Sequence, residues 1–230
     1  MNEMPLQVAV LFSGGKDSTW TVHEVKRMEH EVVTLVSLLS RNPDSYMFQS
    51  VNLRWAPLLA EAMALPIVVR ETAGRKEEEL ADLEAVLREL KPRIEAVGAG
   101  ALASRYQYER VGAICKRLGL AVFAPEWQSD PEGYWEQLLA AKFRVILTKV
   151  ACAGLGKEWL GREIDRAALA ELTALSKKHR FHLGGEGGEF ESFVLDCPLY
   201  KKRVKVEKAR KEWHGDWGQY VIERAELAER

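Results

Sequence analysis

The apolar run Val8-Ala9-Val10-Leu11-Phe12 leads directly into Ser13-Gly14-Gly15-Lys16-Asp17-Ser18, after which Trp20, Val22, Val25 and Met28 recur near helical spacing. A short apolar run of this kind reads as a buried strand, and apolar residues close to a 3.6 period read as one face of a helix. The segment therefore predicts a strand, a tight turn and a helix in immediate succession. Glycines at the turn let the backbone bend sharply and let a ligand approach where a Cβ would stand. The helix start adds unpaired backbone N–H groups and the positive end of a dipole, which together cradle an anion. Ser13 and Ser18 contribute hydroxyls and Lys16 a cation. Asp17 is the odd member, because a carboxylate beside a phosphate needs a reason, and holding Mg²⁺ against that phosphate supplies one. The spacing is not that of a Walker A loop, G-x-x-x-x-G-K-[ST].

The next elements follow in alternation. Val32 to Leu39 is a β-branched run suited to an inner parallel strand. Arg41 to Ser45 is a loop by composition, and a helical stretch from about Val51 to Ala64 carries Leu53, Leu58, Leu59 and Met63. Pro66 to Arg70 predicts a third strand and Glu77 to Leu90 a helix. Ala96 to Leu102 predicts the fourth strand, Tyr108 to Leu118 a helix with Gly119 as its C-terminal stop, and Leu120 to Ala124 the fifth strand. Strands alternating with helices imply a parallel α/β sheet with right-handed crossovers. In the order 3-2-1-4-5, strands one and four meet where the winding reverses, and ligands bind there, at the carboxyl ends of the strands. Ser13 to Ser18 and Gly98 to Gln107 would then form opposite lips of one crevice.

From Pro125 the pattern changes. Glu126 to Gly133 is a break, Trp135 to Ala141 a short helix, and Arg144 to Val150 a strand. Asp165 to His179 is a helix with Asp165 at its N-cap, and two strands close the chain at about Arg203 to Lys211 and Tyr220 to Ala225. We expect an N-terminal α/β domain over residues 1–125 and a smaller α+β domain over 126–230. The basic stretch Lys201 to Lys208 alternates like the solvated face of an edge strand.

Composition sets outer limits. With 47% hydrophobic and 29% charged residues, the chain of 230 residues is that of an ordinary globular protein. No apolar run approaches the ~20 residues of a membrane span, and the start shows no signal-peptide pattern, so the cytosol is the expected compartment. A net charge of −1 argues against broad nucleic-acid binding. Cys115, Cys152 and Cys197 are widely spaced and suggest three inert thiols, with neither a zinc site nor a disulfide framework.

Gly184 to Ser192 places four glycines and three carboxylates in nine residues. Such a loop is costly to order. Glu186, Glu189 and Glu191 repel one another unless they share a cation, a proton or hydrogen-bond donors. Mg²⁺, an ammonium ion or an amine would answer that repulsion.

Ser13-Gly14-Gly15-Lys16-Asp17-Ser18 resembles the PP-loop of the ATP pyrophosphatases, which split ATP into AMP and pyrophosphate. Together with Asp44-Ser45-Tyr46-Met47-Phe48-Gln49, Gly98 to Gln107, and Gly184 to Glu191 through Pro198-Leu199, it makes nearly the whole chain similar to the diphthine–ammonia ligase family. The resemblance implies a Rossmann-like (HUP-type) five-stranded sheet joined to a smaller C-terminal domain. It also implies that ATP activates the diphthine carboxylate of elongation factor 2 as an acyl-adenylate and that ammonia displaces AMP. Carried over by motif, Ser13, Gly14, Gly15, Lys16, Asp17 and Ser18 would bind ATP, with Asp17 on Mg²⁺. Tyr46, Gln49, Ser104, Tyr106, Gln107, Gly187, Gly188 and Glu191 would meet substrate. Lys16, Asp17, Glu186 and Glu189 would carry the chemistry, with the acids serving ammonium or diphthine. A homo-oligomer is compatible with all of these assignments.

The chain departs from the family pattern in three places. Ser104-Arg105-Tyr106-Gln107 stands where Ser-Asp-Tyr-Gln is usual, Pro125-Glu126-Trp127 where Pro-Leu-Trp is usual, and Glu191-Ser192 where Glu-Thr is usual. Arg105 reverses a charge beside the expected crevice. Two other readings stay open on sequence: a related ATP pyrophosphatase acting on another carboxylate, a small metabolite or tRNA, and an ATP- or AMP-binding module without turnover. A tRNA thiolase would call for a reactive cysteine pair and an appended RNA-binding domain, and neither is visible.

Overall fold

The computed structural model describes residues 4–40, 52–73, 78–100, 105–126 and 129–230, without the side chains of residues 105–107. Five strands, β1 (Gln7–Leu11), β2 (Glu31–Ser40), β3 (Ile67–Thr72), β4 (Ala96–Gly98) and β5 (Ala121–Phe123), form one parallel sheet in the order β3-β2-β1-β4-β5. The expected strand order and parallel winding are both found. β1 lies at the centre, hydrogen-bonded to β2 on one side and β4 on the other, with Val10 opposite Leu35 and Gly98.

Strand alternation divides the apolar side chains between two faces. Val8 and Val10 point toward a core built with α1 (Lys16–Arg27) and α2 (Ala56–Met63). Ala9, Val36, Leu38 and Val97 point the other way, toward α3 (Glu78–Leu90) and α4 (Arg105–Leu118). Of the apolar positions on one face of α3, Leu83, Val86, Leu87 and Leu90 are buried there and Leu80 is half-buried against them. Each helix thus buries one stripe and the sheet is covered on both sides, as a parallel sheet requires.

The remaining strands, β6 (Arg144–Val150), β7 (Phe190–Asp196), β8 (Arg203–Trp213) and β9 (Gly218–Ala228), form an antiparallel sheet in the order β7-β6-β9-β8. Helices α5 (Pro131–Ala140) and α6 (Arg166–His179) accompany it. Asp165 caps α6 as expected, accepting from the Ala168 N–H at 2.8 Å. The Lys-rich strand β8 is an edge, and its charges pair with acids: Lys205 with Glu207, Lys208 with Glu223, Arg210 with Glu212 and Glu223.

Several boundaries differ from expectation for identifiable reasons. β4 stops at Gly98, four residues early, because the chain turns there to pass over the start of α1. A Cβ on Gly100 would lie 2.5 Å from the Asp17 carbonyl carbon. α5 begins at Pro131 because Asp130 caps it through the Gly133 N–H at 2.7 Å and proline suits the first turn. The helix expected over 51–64 is a 3₁₀ turn, Leu53–Trp55, followed by α2. β7 was not foreseen, since the glycine-acid segment preceding it masks its alternation.

One core runs through both sheets. Val8, Trp20 and Leu59 belong to the same buried cluster as Trp135, Leu147, Phe193 and Ile222. Polar contacts reinforce it: buried Asn52 donates to the Tyr220 carbonyl at 2.9 Å and accepts from the Ile222 N–H at 2.9 Å. Trp55 Nε1 and Arg54 both donate to the Ile222 carbonyl, and the Lys201 N–H donates to the Ala62 carbonyl at 2.7 Å. Among the described residues, no helix is long and apolar enough to cross a membrane.

Asn52→Ala strands two backbone groups of β9, one donor and one acceptor. Urea unfolding is expected to show a loss of about 2–4 kcal/mol with an unchanged slope. Because the core is shared, that unfolding should be a single transition for both the natural chain and the variant. Two separated transitions would contradict the shared core.

Candidate active site

The glycine turn lies where β1 ends and α1 begins, at the switch point of the parallel sheet. Gly14 takes a left-handed conformation, φ +79°, and a Cβ there would stand 2.4 Å from Leu59 Cδ1. Gly15 precedes α1 in extended conformation, and no side chain caps the helix at that position. The hydroxyls of Ser13 and Ser18 face each other at 3.2 Å, and Ser18 Oγ also accepts from the Ser13 N–H at 3.2 Å. Thr19 ties back to the Gly15 carbonyl through both its N–H and its hydroxyl. The turn is thus held by its own side chains, with glycine at the two positions a ligand must approach.

Lys16 is nearly fully buried. Its ammonium donates to Asp17 Oδ2 at 2.9 Å and to the Gly184 carbonyl at 2.7 Å. Three aromatic rings surround it, with centroids at 5.9 Å (Tyr134), 5.7 Å (Trp135) and 5.6 Å (Phe190). A cation in such a box is attracted by the ring faces. Asp17 Oδ1 is buried and has no hydrogen-bond partner among the described residues. That atom is a fit for a divalent cation, since Mg²⁺ takes one or two carboxylates and completes its shell with phosphate and water. A complete protein-made cage is not what the site offers: among the described residues, no group of three or more His, Cys, Asp or Glu side chains could hold a metal.

The second half supplies the other wall. The Val194 N–H of β7 donates to the Gly14 carbonyl at 3.1 Å, and Ser192 Oγ accepts from the Lys16 N–H at 3.1 Å. A hydroxyl therefore occupies the first free N–H of α1, the place a phosphate oxygen would otherwise take. Gly184 to Phe190 forms a compact loop in which Gly185 (φ +77°) and Gly188 (φ +86°) need glycine. Trp135 Nε1 donates to the Leu183 carbonyl at 2.9 Å, and His182 Nδ1 accepts from the Gly184 N–H at 3.2 Å.

The three carboxylates of this loop are separated by their partners. Glu189 Oε1 accepts from the His182 N–H at 3.0 Å and Oε2 from the Gly187 N–H at 2.7 Å, so this acid braces the loop. Glu191 Oε1 lies 3.5 Å from Lys149 Nζ across the β6–β7 pair. Glu186 is the acid whose charge reaches the Tyr134 phenol inside the site. The repulsion anticipated from the sequence is answered mainly by backbone N–H groups and a lysine. Gly187 and Gly188 are exposed on the loop. Tyr46, Gln49 and Ser104 lie outside the described residues, as do the side chains of Arg105, Tyr106 and Gln107.

Sequence reasoning missed Tyr134, Phe190 and Ser192 as site residues and placed Trp135 only in a helix. Tyr134 and Trp135 are adjacent on α5, apolar in pattern, and only the docking of α5 on α1 aims them at Lys16. Burial pushes the Tyr134 phenol well above its ordinary pKa, with the Asp17 carboxylate adding to the effect. Burial acts on the cysteines too, Cys115 and Cys197 being buried and Cys152 half-buried: it raises Cys197 to about 12 and Cys115 and Cys152 to about 11.

The chain is similar to known proteins along its length. A sequence model described as the diphthamide synthase N-terminal domain matches residues 6–122, and one described as its C-terminal domain matches residues 130–228. A diphthine–ammonia ligase of Bos taurus is 36% identical over 230 residues, with 91% of this chain and 86% of that protein covered. The protein of the same description from Mus musculus is 38% identical with the same coverage. A solved structure described as a predicted subunit of tRNA methyltransferase from Methanocaldococcus jannaschii covers 84% of this chain and 98% of its own, at 18% identity and a TM-score of 0.47.

Gly14→Ala forces a β-carbon both into the left-handed region and against Leu59, and is expected to cost about 2 kcal/mol in chemical denaturation. Adding Leu59→Ala should not recover it, because the backbone strain persists. In the folded protein at pH 7.5, Cys115 and Cys152 should react with a disulfide reagent about 300-fold more slowly than free cysteine and Cys197 about 3,000-fold more slowly, since those are the losses of thiolate at pKa values of about 11 and about 12. Fast labelling of any one thiol in the folded state would contradict this shielding.

Proposed function

The chain belongs to the diphthamide synthase family, and from that premise we propose that it amidates diphthine on a protein substrate, elongation factor 2, at the expense of ATP. The observation that carries the reading is the turn Ser13 to Ser18 at the sheet's switch point, with Lys16 bonded both to Asp17 and to the glycine-acid loop of the second half. A carboxylate is a poor acyl donor. Its oxygen attacks the α-phosphorus of ATP, the bond to pyrophosphate breaks, and the acyl-adenylate so formed has AMP as its leaving group. Ammonia then attacks the acyl carbon and AMP departs, leaving the amide.

Each residue has a part in this scheme. Gly14 and Gly15 let the phosphates come close to the backbone, and the first turn of α1 supplies N–H groups and its dipole. Ser13, Ser18 and Lys16 hold phosphate oxygens, and no covalent enzyme nucleophile is needed. Asp17 holds Mg²⁺, which when bound neutralises charge on the departing pyrophosphate. Ammonia is mostly ammonium at neutral pH. Glu186, whose charge reaches into the site, takes the proton that ammonium must lose. Glu189 acts through the loop it braces, and Gly187, Gly188 and Glu191 present that loop to the diphthine side chain together with Tyr46, Gln49, Ser104, Tyr106 and Gln107. Residues 1–125 serve as the ATP pyrophosphatase unit and 126–230 as the substrate unit, working in the cytosol.

The test is release of pyrophosphate and AMP from Mg·ATP with ammonium and elongation factor 2 carrying diphthine, against the same factor already amidated. Turnover is expected only with the diphthine form, and Glu186→Gln should lower it most at limiting ammonium. Equal release with both forms, or none with either, would overturn the acceptor.

A further inference from the structure

Tyr134 of α5 is completely buried, at 0% exposure, where the second half meets α1. Its ring stands edge-on to Trp20 with centroids 6.0 Å apart and lies 5.9 Å from Lys16 Nζ. These contacts are those of a core phenylalanine. The hydroxyl is different: it lies against Asp17 but off hydrogen-bond geometry, and has no partner among the described residues. Asp17 Oδ1 is in the same condition, buried and without a hydrogen bond, while Oδ2 is held by Lys16. A donor and an acceptor thus sit side by side, both buried, and neither makes a full-geometry hydrogen bond among the described residues.

Burying a polar group without a partner is unfavourable, and an apolar ring of the same shape would avoid that cost. A second residue type in the same wall shows the contrast: Trp135 Nε1, also buried, has the Leu183 carbonyl as its acceptor. The neighbouring Glu126 carboxylate is committed as well, accepting from Trp20 Nε1 at 2.5 Å and from the Ser129 hydroxyl at 3.0 Å. The charges of Glu126 and Glu186, as well as that of Asp17, act on the phenol.

We infer that Tyr134 is a positioning residue for the Mg·ATP site: its hydroxyl donates to the Asp17 carboxylate in the loaded state and fixes the oxygen that Asp17 turns to the divalent cation. This rests on the nucleotide reading above. Groups that orient a metal-ligating carboxylate from behind commonly govern metal affinity about 10–100-fold. A phenol is protonated throughout the neutral range, so the hydroxyl is available as a donor. The residue comes from the second half of the chain, so docking of that half completes the metal-facing side of the loop.

The variant is Tyr134→Phe, which keeps the ring and removes one atom. Calorimetric titration of the full-length protein with Mg·ATP, and with ATP in the presence of a chelator, separates the two affinities, and thermal unfolding of the free protein reads the fold. Mg·ATP affinity is expected to fall about 10-fold, with metal-free ATP binding unchanged and the free protein no less stable than before. In an Asp17→Asn background, Tyr134→Phe should have no further effect on Mg·ATP binding. Unchanged Mg·ATP affinity, an equal loss in both titrations, or destabilisation of the free protein would overturn the inference and leave the nucleotide reading standing. Failure of the unaltered protein to bind Mg·ATP would instead overturn the nucleotide reading, and this inference with it.

Discussion

The buried ammonium of Lys16 is the interaction on which the architecture of this site turns. A cation removed from water is tolerated only where charge and dipoles replace its hydration. Here the replacement is drawn from both halves of the chain: Asp17 from its own helix, the Gly184 carbonyl from the glycine loop, and ring faces from Tyr134, Trp135 and Phe190. Neither sheet alone could bury this charge. The shared core therefore has an electrostatic reason as well as an apolar one, and the Ser13 to Ser18 turn depends on the second half being docked.

Backbone contacts extend the same dependence. β7 begins beside the turn, with Val194 bonded to Gly14 and Ser192 to Lys16, so the loop that precedes β7 is delivered to the carboxyl edge of the parallel sheet. Asn52 and Ile222 form a second, wholly buried stitch on the far side of α2. An ATP-dependent amidation needs the nucleotide and the carboxylate it activates held at fixed separation, because small misplacements of reacting groups are costly. Stitching the halves by buried polar contacts meets that need better than a flexible linker would.

The acid-rich loop illustrates how residue type and residue role part company. From sequence, Glu186, Glu189 and Glu191 are three equal carboxylates seeking a shared cation. In the fold, Glu189 is spent on two backbone N–H groups and Glu191 lies beside Lys149, while Glu186 sends its charge into the site. The glycines around them have their own demands, since Gly185 and Gly188 adopt backbone angles that other residues resist. Much of the composition of this loop is therefore structural, serving to bring one carbonyl, that of Gly184, onto Lys16.

The parallel winding, the place of Ser13 to Ser18 between β1 and α1, the buried or half-buried cysteines and the cap at Asp165 were legible in the chain from periodicity, residue type, turn chemistry or a short motif, whereas the order of the strands, though found as expected, was taken from folds of this kind. The premature end of β4 and the early start of α5 were not legible, although Asp130-Pro131 carried the signal for the second. What only the tertiary structure decided is which distant side chains meet Lys16 and Asp17. Tyr134 and Ser192 are separated from the turn by more than a hundred residues; nothing around Tyr134 distinguishes it from a core residue, and Ser192, although it closes the glycine-acid loop, gives no local sign that its hydroxyl meets Lys16. Their roles arise from the docking of α5 and β7 on α1, a long-range choice made by the whole apolar core and by the one buried charge it must accommodate.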